Sequence, residues 1–283
     1  MNKTCEGKRG RGVWYSRVVV GVAALAAASM VQAEFVYGPP VTLNEGTARV
    51  YLLVDDGTPL ELGVAIDTAF MRELPADGSH GGAIMPDGRS TFEYVLEMPP
   101  ENPTPFRHVT LDWNPRGHEP HGVYDVAHFD VHFYLIGMDE RLAIDPRDPG
   151  FAARASRLPE PAYIPAGYVD PGLPAVPMMG VHLVDPASPE LRAEDPAPFE
   201  YTFIYGAWDG RITFLEPMVA TAFLESRQGL EMAIPVAERH AVPGYYPRAY
   251  RIAWEEDRGE HRIALTNWVL HDDDEALAGS LSR

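Results

Sequence analysis

Apolar and polar positions alternate over much of the chain, and the alternation has the period of a strand more often than that of a helix. Val41-Thr42-Leu43 and Ala48 to Val54 read as strands, bounded by Asn44-Glu45-Gly46 and by Asp55-Asp56-Gly57-Thr58-Pro59, both suited to tight turns. Residues 91–98 and 106–113 predict two more strands, meeting across Pro99-Pro100-Glu101-Asn102-Pro103. Residues 126–136 follow as the next strand, expected to lie antiparallel to 106–113. There a period of two puts His128, Asp130, His132 and Tyr134 on one face and Phe129, Val131, Phe133 and Leu135 on the other. A helix would instead stack His128 over His132 and gather Val126, Phe129, Phe133 and Ile136 into a stripe. The abundance of Val, Phe and Tyr, and the lack of a helix start in Gly122-Val123-Tyr124-Asp125, favour the strand.

Elsewhere the pattern is interrupted. Prolines crowd the stretch from Asp145 to Pro198, which rules out long regular elements there. Tyr163, Ile164, Tyr168, Val176, Met178 and Met179 supply apolar anchors, so the stretch reads as a wrapping loop rather than a linker. Phe199 to Tyr205 and Arg211 to Glu216 form the clearest hairpin, turning through Asp209-Gly210. Short helices are expected from Asp67 toward Pro75, around Phe151–Arg157, and from Glu216-Pro217-Met218 to about Ser226, with Pro217 in a first turn. Segments 230–236, 248–255 and 261–270 complete the strands. The expected class is mainly β (α+β): an antiparallel barrel or sandwich with a few short helices.

The beginning of the chain does not fit that domain. Lys3, Lys8, Arg9, Arg11 and Arg17 precede an apolar run from Val18 to Val31, and Val31-Gln32-Ala33 has the small-x-small spacing of a cleavage site. Residues 1–33 are therefore expected to be a cleavable export signal, with an uncleaved anchor as the alternative; a single β-rich domain spans 34–271 and a loose acidic tail 272–283. The expected location is periplasmic or secreted. Cleavage would remove five bases and one acid, Glu6, taking the formal net charge from −18 to −22. It would also remove every lysine and the one cysteine, Cys5, which excludes disulfides and thiolate metal sites. Such acidity argues against nucleic acid and anionic membranes as partners. A small-molecule ligand and a homo-oligomeric state stay open.

Three distant segments carry metal-ligand chemistry. The stretch Gly117 to Ile136 holds four of the ten histidines together with Glu119, Asp125 and Asp130. His182 lies among apolar neighbours in Met179-Gly180-Val181-His182-Leu183-Val184, and Glu216 ends the hairpin. On a strand His128 and His132 stand roughly 13 Å apart, so both cannot easily hold one ion. The reading is that His132, His182 and Glu216 are ligands, with His128 and Asp130 as a fourth ligand or a support for the others. Two or three histidines and a carboxylate without sulfur suit zinc or copper first, and iron or manganese also. Glu119 and Tyr124 are the candidate proton-transfer groups for an ion that activates water or dioxygen. His118 and His121, in a Pro/Gly loop, read as solvent-facing or supporting. No His-Glu-x-x-His helix, Gly-x-Ser-x-Gly elbow or phosphate-binding glycine loop is present in the sequence. His128-x-Asp130-x-His132 only loosely echoes the His-x-His pair of cupins. The competing reading is a non-enzymatic envelope-stress or ligand-binding protein, oligomeric, with the same cluster structural.

The run Gly117-His118-Glu119-Pro120, Gly122-Val123-Tyr124 and His128-Phe129-Asp130-Val131-His132-Phe133-Tyr134, with Met179-Gly180-Val181-His182 and Phe214-Leu215-Glu216-Pro217-Met218, resembles an exported bacterial family of unknown function. That family is related to a Thermus protein from an extracytoplasmic sigma-factor regulon. The family pattern has proline at the positions of His121 and Ala127 and tryptophan at that of Leu183; none of these is a candidate ligand. The resemblance implies that the three segments form one site, and it implies no particular reaction.

Overall fold

The computed structural model describes Met1 and residues 33–85 and 87–272, so the expected leader and the acidic tail fall almost wholly outside the described residues. The strands are β1 (Glu34–Tyr37), β2 (Val41–Leu43), β3 (Gly46–Asp55), β4 (Thr58–Asp67), β5 (Ala83–Ile84), β6 (Ser90–Glu97), β7 (His108–Asn114), β8 (His128–Tyr134), β9 (Val181–Leu183), β10 (Tyr201–Trp208), β11 (Arg211–Ala220), β12 (Leu230–Ala233), β13 (Gly244–Glu255) and β14 (Glu260–His271). The helices are single turns: α1 (Thr68–Arg72), α2 (Met138–Leu142), α3 (Phe151–Ala155) and α4 (Thr221–Glu225). Strands hold 43% of the described residues and helices 11%, so the mainly-β class holds.

Among the described residues the strands form two antiparallel sheets. One runs β1-β3-β4-β14-β13-β12 with β2 also on β3; the other runs β5-β6-β7-β8-β11-β10-β9. One sheet curls like a half-barrel. Alternation explains how they pack. Val50, Leu52, Leu62, Val64, Ile263 and Leu265 of the first sheet share one apolar core with Val109, Leu111, Phe129, Val131, Phe133 and Leu215 of the second. Burying each such side chain contributes about 1.5–3 kcal/mol.

The expected pairing of the central strand is present: β8 lies antiparallel to β7, with Thr110 opposite His132 and Asp112 opposite Asp130. The hairpin is present too, with Trp208 opposite Arg211 and positive φ at Asp209 and Gly210. That is the backbone an Asp-Gly two-residue turn supplies. The expected helices at Asp67 and Phe151 also form. Asp67 caps the first by accepting from the Phe70 amide at 2.7 Å.

One expectation fails. Glu216-Pro217-Met218 does not open a helix: β11 continues to Ala220 and α4 begins at Thr221. Pro217 instead sits opposite Phe203 of β10. The ladder from β11 to β8 pairs Leu215 with Phe133 and resumes at Met218 with Asp130, lapsing across Glu216 and Pro217. A proline contributes no amide hydrogen to a ladder, and this strand accommodates it by a local lapse rather than by ending.

Because the odd-numbered residues of β8 face the core, its even-numbered residues face away from the first sheet. They are nonetheless buried, because the loops after β7, β8 and β9 fold over that face. Two small apolar clusters accompany these loops: Tyr124, Phe199, Ile204 and Met218 in one, and Tyr134, Ile136, Ile144, Trp208 and Phe214 in the other. The proline-rich stretch thus wraps the second sheet and contributes β9 as its edge strand.

Candidate metal centre

The covered face carries an unusual polar load. His108, Thr110, Asp112 and Asn114 of β7 lie beside His128, Asp130 and His132 of β8, with Glu216 of β11 beyond, and all are buried. His182 joins them from β9, opposite Gly206 of β10. A Cβ on Gly206 would lie 2.0 Å from the Phe214 ring, so only glycine leaves room for that ring. Phe214 in turn meets the His132 ring at 4.8 Å and the His182 ring at 5.3 Å.

His132, His182 and Glu216 converge as the sequence reading requires, each offering one ligand atom within 4.8 Å of the others. His132 Nε2 lies 3.5 Å from Glu216 Oε1, and His182 Nε2 lies 3.7 Å from Glu216 Oε2. Neither His132 Nε2 nor Glu216 Oε2 has a hydrogen-bond partner among the described residues. These distances are long for hydrogen bonds. They match the roughly 3.4 Å between neighbouring ligand atoms of a tetrahedral ion with bonds near 2.1 Å. Behind His132, Nδ1 lies 2.8 Å from Asp112 Oδ2, which also accepts from Thr110 Oγ1 at 2.9 Å. A carboxylate on Nδ1 keeps one ring proton there, so Nε2, which faces Glu216, is the nitrogen that gives up its proton to bind an ion.

The electrostatics fit a place prepared for a cation. Burial pushes the Glu216 carboxyl up to about 8, with His132 pulling the other way. Burial also disfavours charge on His132, but Glu216 and Asp112 outweigh it and hold the ring at about 9. Burial, and then the neighbouring His132, pushes His182 down to about 3, so its ring is neutral at physiological pH. His182 is also the one member of the trio that solvent reaches, with 21% of its side chain exposed against 1% and 2% for His132 and Glu216.

His128 and Asp130 do not join that trio. They form a second cluster with His118, the loop histidine read from the sequence as solvent-facing or supporting. Asp130 Oδ2 lies 3.0 Å from His118 Nε2, and Asp130 Oδ1 lies 3.1 Å from His128 Nε2. Asn114 donates to Asp130 Oδ2 at 2.8 Å. Burial opposes charge on His118, but Asp130 outweighs it and raises the ring to about 9. Burial raises Asp130 as well, yet the flanking histidines hold its carboxyl well below the usual carboxylate range. His121 remains outward, beside Arg89 and Asp125.

Of the two candidate proton-transfer groups, Tyr124 is buried against the His118 and His128 rings, and its hydroxyl donates to Glu190 Oε1 at 3.4 Å. Burial and Glu190 raise the phenol far above its ordinary value, so it keeps its proton. The Glu119 residue is exposed, and what it gives the site is its carbonyl, 2.7 Å from His118 Nδ1. Asp112 and Glu190 were missed at the sequence level. Asp112 was open to discovery, because 108–114 alternates and puts Asp112 on the same face as His108 and Thr110. Glu190 was not, since it comes from the irregular wrap.

The fold and site together describe a two-sheet antiparallel β-protein with two histidine–carboxylate clusters buried on the covered face of one sheet. Residues 54–113 match a family model described as "TTHB210-like: Hypothetical protein TTHB210", consistent with relation to that family of Thermus hypothetical proteins. The matched span runs from the end of β3 through most of β7, taking in Asp112 and stopping before His118, His128, His132 and His182. No curated protein and no solved structure matches the chain.

Proposed function

We propose that this chain is an exported metal-binding protein in which His132, His182 and Glu216 hold one divalent transition ion, zinc or copper first, iron or manganese next. The observation that carries this reading is the approach of Glu216 Oε1 to His132 Nε2 at 3.5 Å and of Glu216 Oε2 to His182 Nε2 at 3.7 Å, with His132 Nε2 and Glu216 Oε2 buried and without hydrogen-bond partners among the described residues. Leaving buried groups of this kind unpaired costs about 1–3 kcal/mol each, and a cation between them offsets that cost. The leader-like sequence of residues 1–33 supports export; among the described residues no helix is long and apolar enough to cross a membrane.

A bound ion would supply Lewis acidity toward water or dioxygen. The chain's own residues do the rest. Asp112 fixes the His132 ring, and Phe214 and Tyr134 flank it and exclude bulk water. The partly exposed His182 gives a small ligand its approach. Tyr124 holds a proton on Oη beside the second cluster.

Metal content of purified protein, compared with a His132→Ala/His182→Ala double variant, tests the assignment. The variant should lose one equivalent; equal content in both would remove the site. A second reading, a structural ion in a non-enzymatic protein, is favoured by the near-complete burial of His132 and Glu216. Under it, chelation lowers the melting temperature or dissociates a homo-oligomer on size exclusion, while a small-molecule turnover screen stays blank.

A further inference from the structure

We infer that His118, His128 and Asp130 form a second metal site, independent of the first, so that one chain carries two ions. The acceptors at Nδ1 fix where each ring carries its first proton. His128 Nδ1 lies 2.7 Å from the Val126 carbonyl oxygen, and His118 Nδ1 lies 2.7 Å from the Glu119 carbonyl oxygen. A carbonyl oxygen only accepts, so each ring donates from Nδ1 and, when neutral, presents a lone pair at Nε2. Both Nε2 atoms face the same carboxylate, at 3.1 Å for His128 and 3.0 Å for His118.

Two Nε2 atoms converging on one carboxylate in a buried place need positive charge between them, which a ring proton on His118 supplies without an ion and a bound cation would supply in its place. The contact of His128 with Asp130 shows that need directly. The two atoms are within 3.1 Å, yet neither His128 Nε2 nor Asp130 Oδ1 has a hydrogen-bond partner among the described residues. Nδ1 held by a backbone carbonyl, with Nε2 free, is the usual support of a metal-ligating histidine. Asn114 donating to Asp130 orients the carboxylate in the same way.

The donor set, two imidazoles and one carboxylate, suits a divalent transition ion with positions left for water or a small ligand. The Tyr124 ring lies 5.9 Å from that of His118 and 6.4 Å from that of His128, so it walls this second site rather than the first. The strand geometry keeps the sites apart. Asp130 and His132 are two residues apart on β8, about 7 Å along the strand.

The test is stoichiometry by site. The full purified protein is stripped with chelator, loaded with Co2+, desalted and analysed for cobalt and for its visible absorption. The expected result is about two equivalents in the native chain and one each in His118→Ala and in His182→Ala, with different spectra for the two remaining ions. His118 lies on a loop and is partly exposed, so its removal spares the core; His128→Gln, checked by circular dichroism, is the second variant. If the native chain binds one equivalent that His118→Ala and His128→Gln both retain, the second site is overturned and the first stands. If it binds one equivalent that these variants lose and His182→Ala retains, the second site stands and the first falls. No bound cobalt overturns both.

Discussion

Asp112→Asn probes the first site without touching a ligand. Asp112 is 3% exposed and reaches His132 only through Nδ1, at 2.8 Å. Asparagine keeps its shape, and the amide oxygen can still accept from Nδ1. What is lost is the negative charge that makes His132 a better donor to a cation. Changes of this kind to the partner of a metal-bound histidine cost about 10–100-fold in affinity, or roughly 1.4–2.8 kcal/mol. The metal-free variant should fold but lose some stability at neutral pH, where the Asp112 charge supports a protonated His132; at Oδ1, which lacks a hydrogen-bond partner among the described residues, the amide nitrogen only replaces one unpaired atom by another. Competition against a chromophoric chelator at fixed pH gives the affinity, and a thermal melt of the stripped protein gives the stability. Weaker binding by at least tenfold, in a variant whose stripped form still melts cooperatively, is the expected result. An affinity within twofold of native, in a folded variant, would refute the role given to Asp112.

Other outcomes follow from the packing. Gly206→Ala should cost about 1–3 kcal/mol and weaken metal binding, since the new methyl drives Phe214 toward both histidine rings; an unchanged melt would contradict the close approach. Phe133→Ala, on the opposite face of β8 and packed edge-on to Phe106, should cost roughly 3–5 kcal/mol by denaturant titration while leaving stoichiometry intact in the folded fraction. Burial, with Arg227 adding to it, lowers His261 to about 4. An unfolded chain takes up that proton near pH 6.5, so this contribution to stability is full above 6.5 and is lost as pH falls from there toward 4. His261→Gln should flatten that part of the stability profile; a profile identical to native would contradict it.

How much of this was legible in the sequence depended on whether periodicity carried it. The β8 alternation separated Phe129, Val131 and Phe133 from His128, Asp130 and His132, and the structure sends the two sets to opposite faces. The spacing argument that His128 and His132 are too far apart for one ion also survives, since they stand in different clusters. Period alone could not show that the polar face is covered, because the cover is an irregular wrap whose path follows from distant contacts. His118 was left between a solvent-facing and a supporting role for that reason: a residue in a Pro/Gly loop has no periodicity to say which way it turns. Pro217 was misread because proline is acceptable both in a first helical turn and at a lapse in a ladder, and only the pairing of β11 with β10 and β8 decides between them.

The central claim is that two imidazoles and one carboxylate, brought from β8, β9 and β11, share an ion. An anomalous difference map from a crystal of the protein loaded with zinc tests it most directly. The account predicts a peak about 2.0–2.2 Å from His132 Nε2, His182 Nε2 and a Glu216 oxygen together. A loaded crystal with no density there, and with these three side chains hydrogen-bonded to ordered water instead, would contradict it.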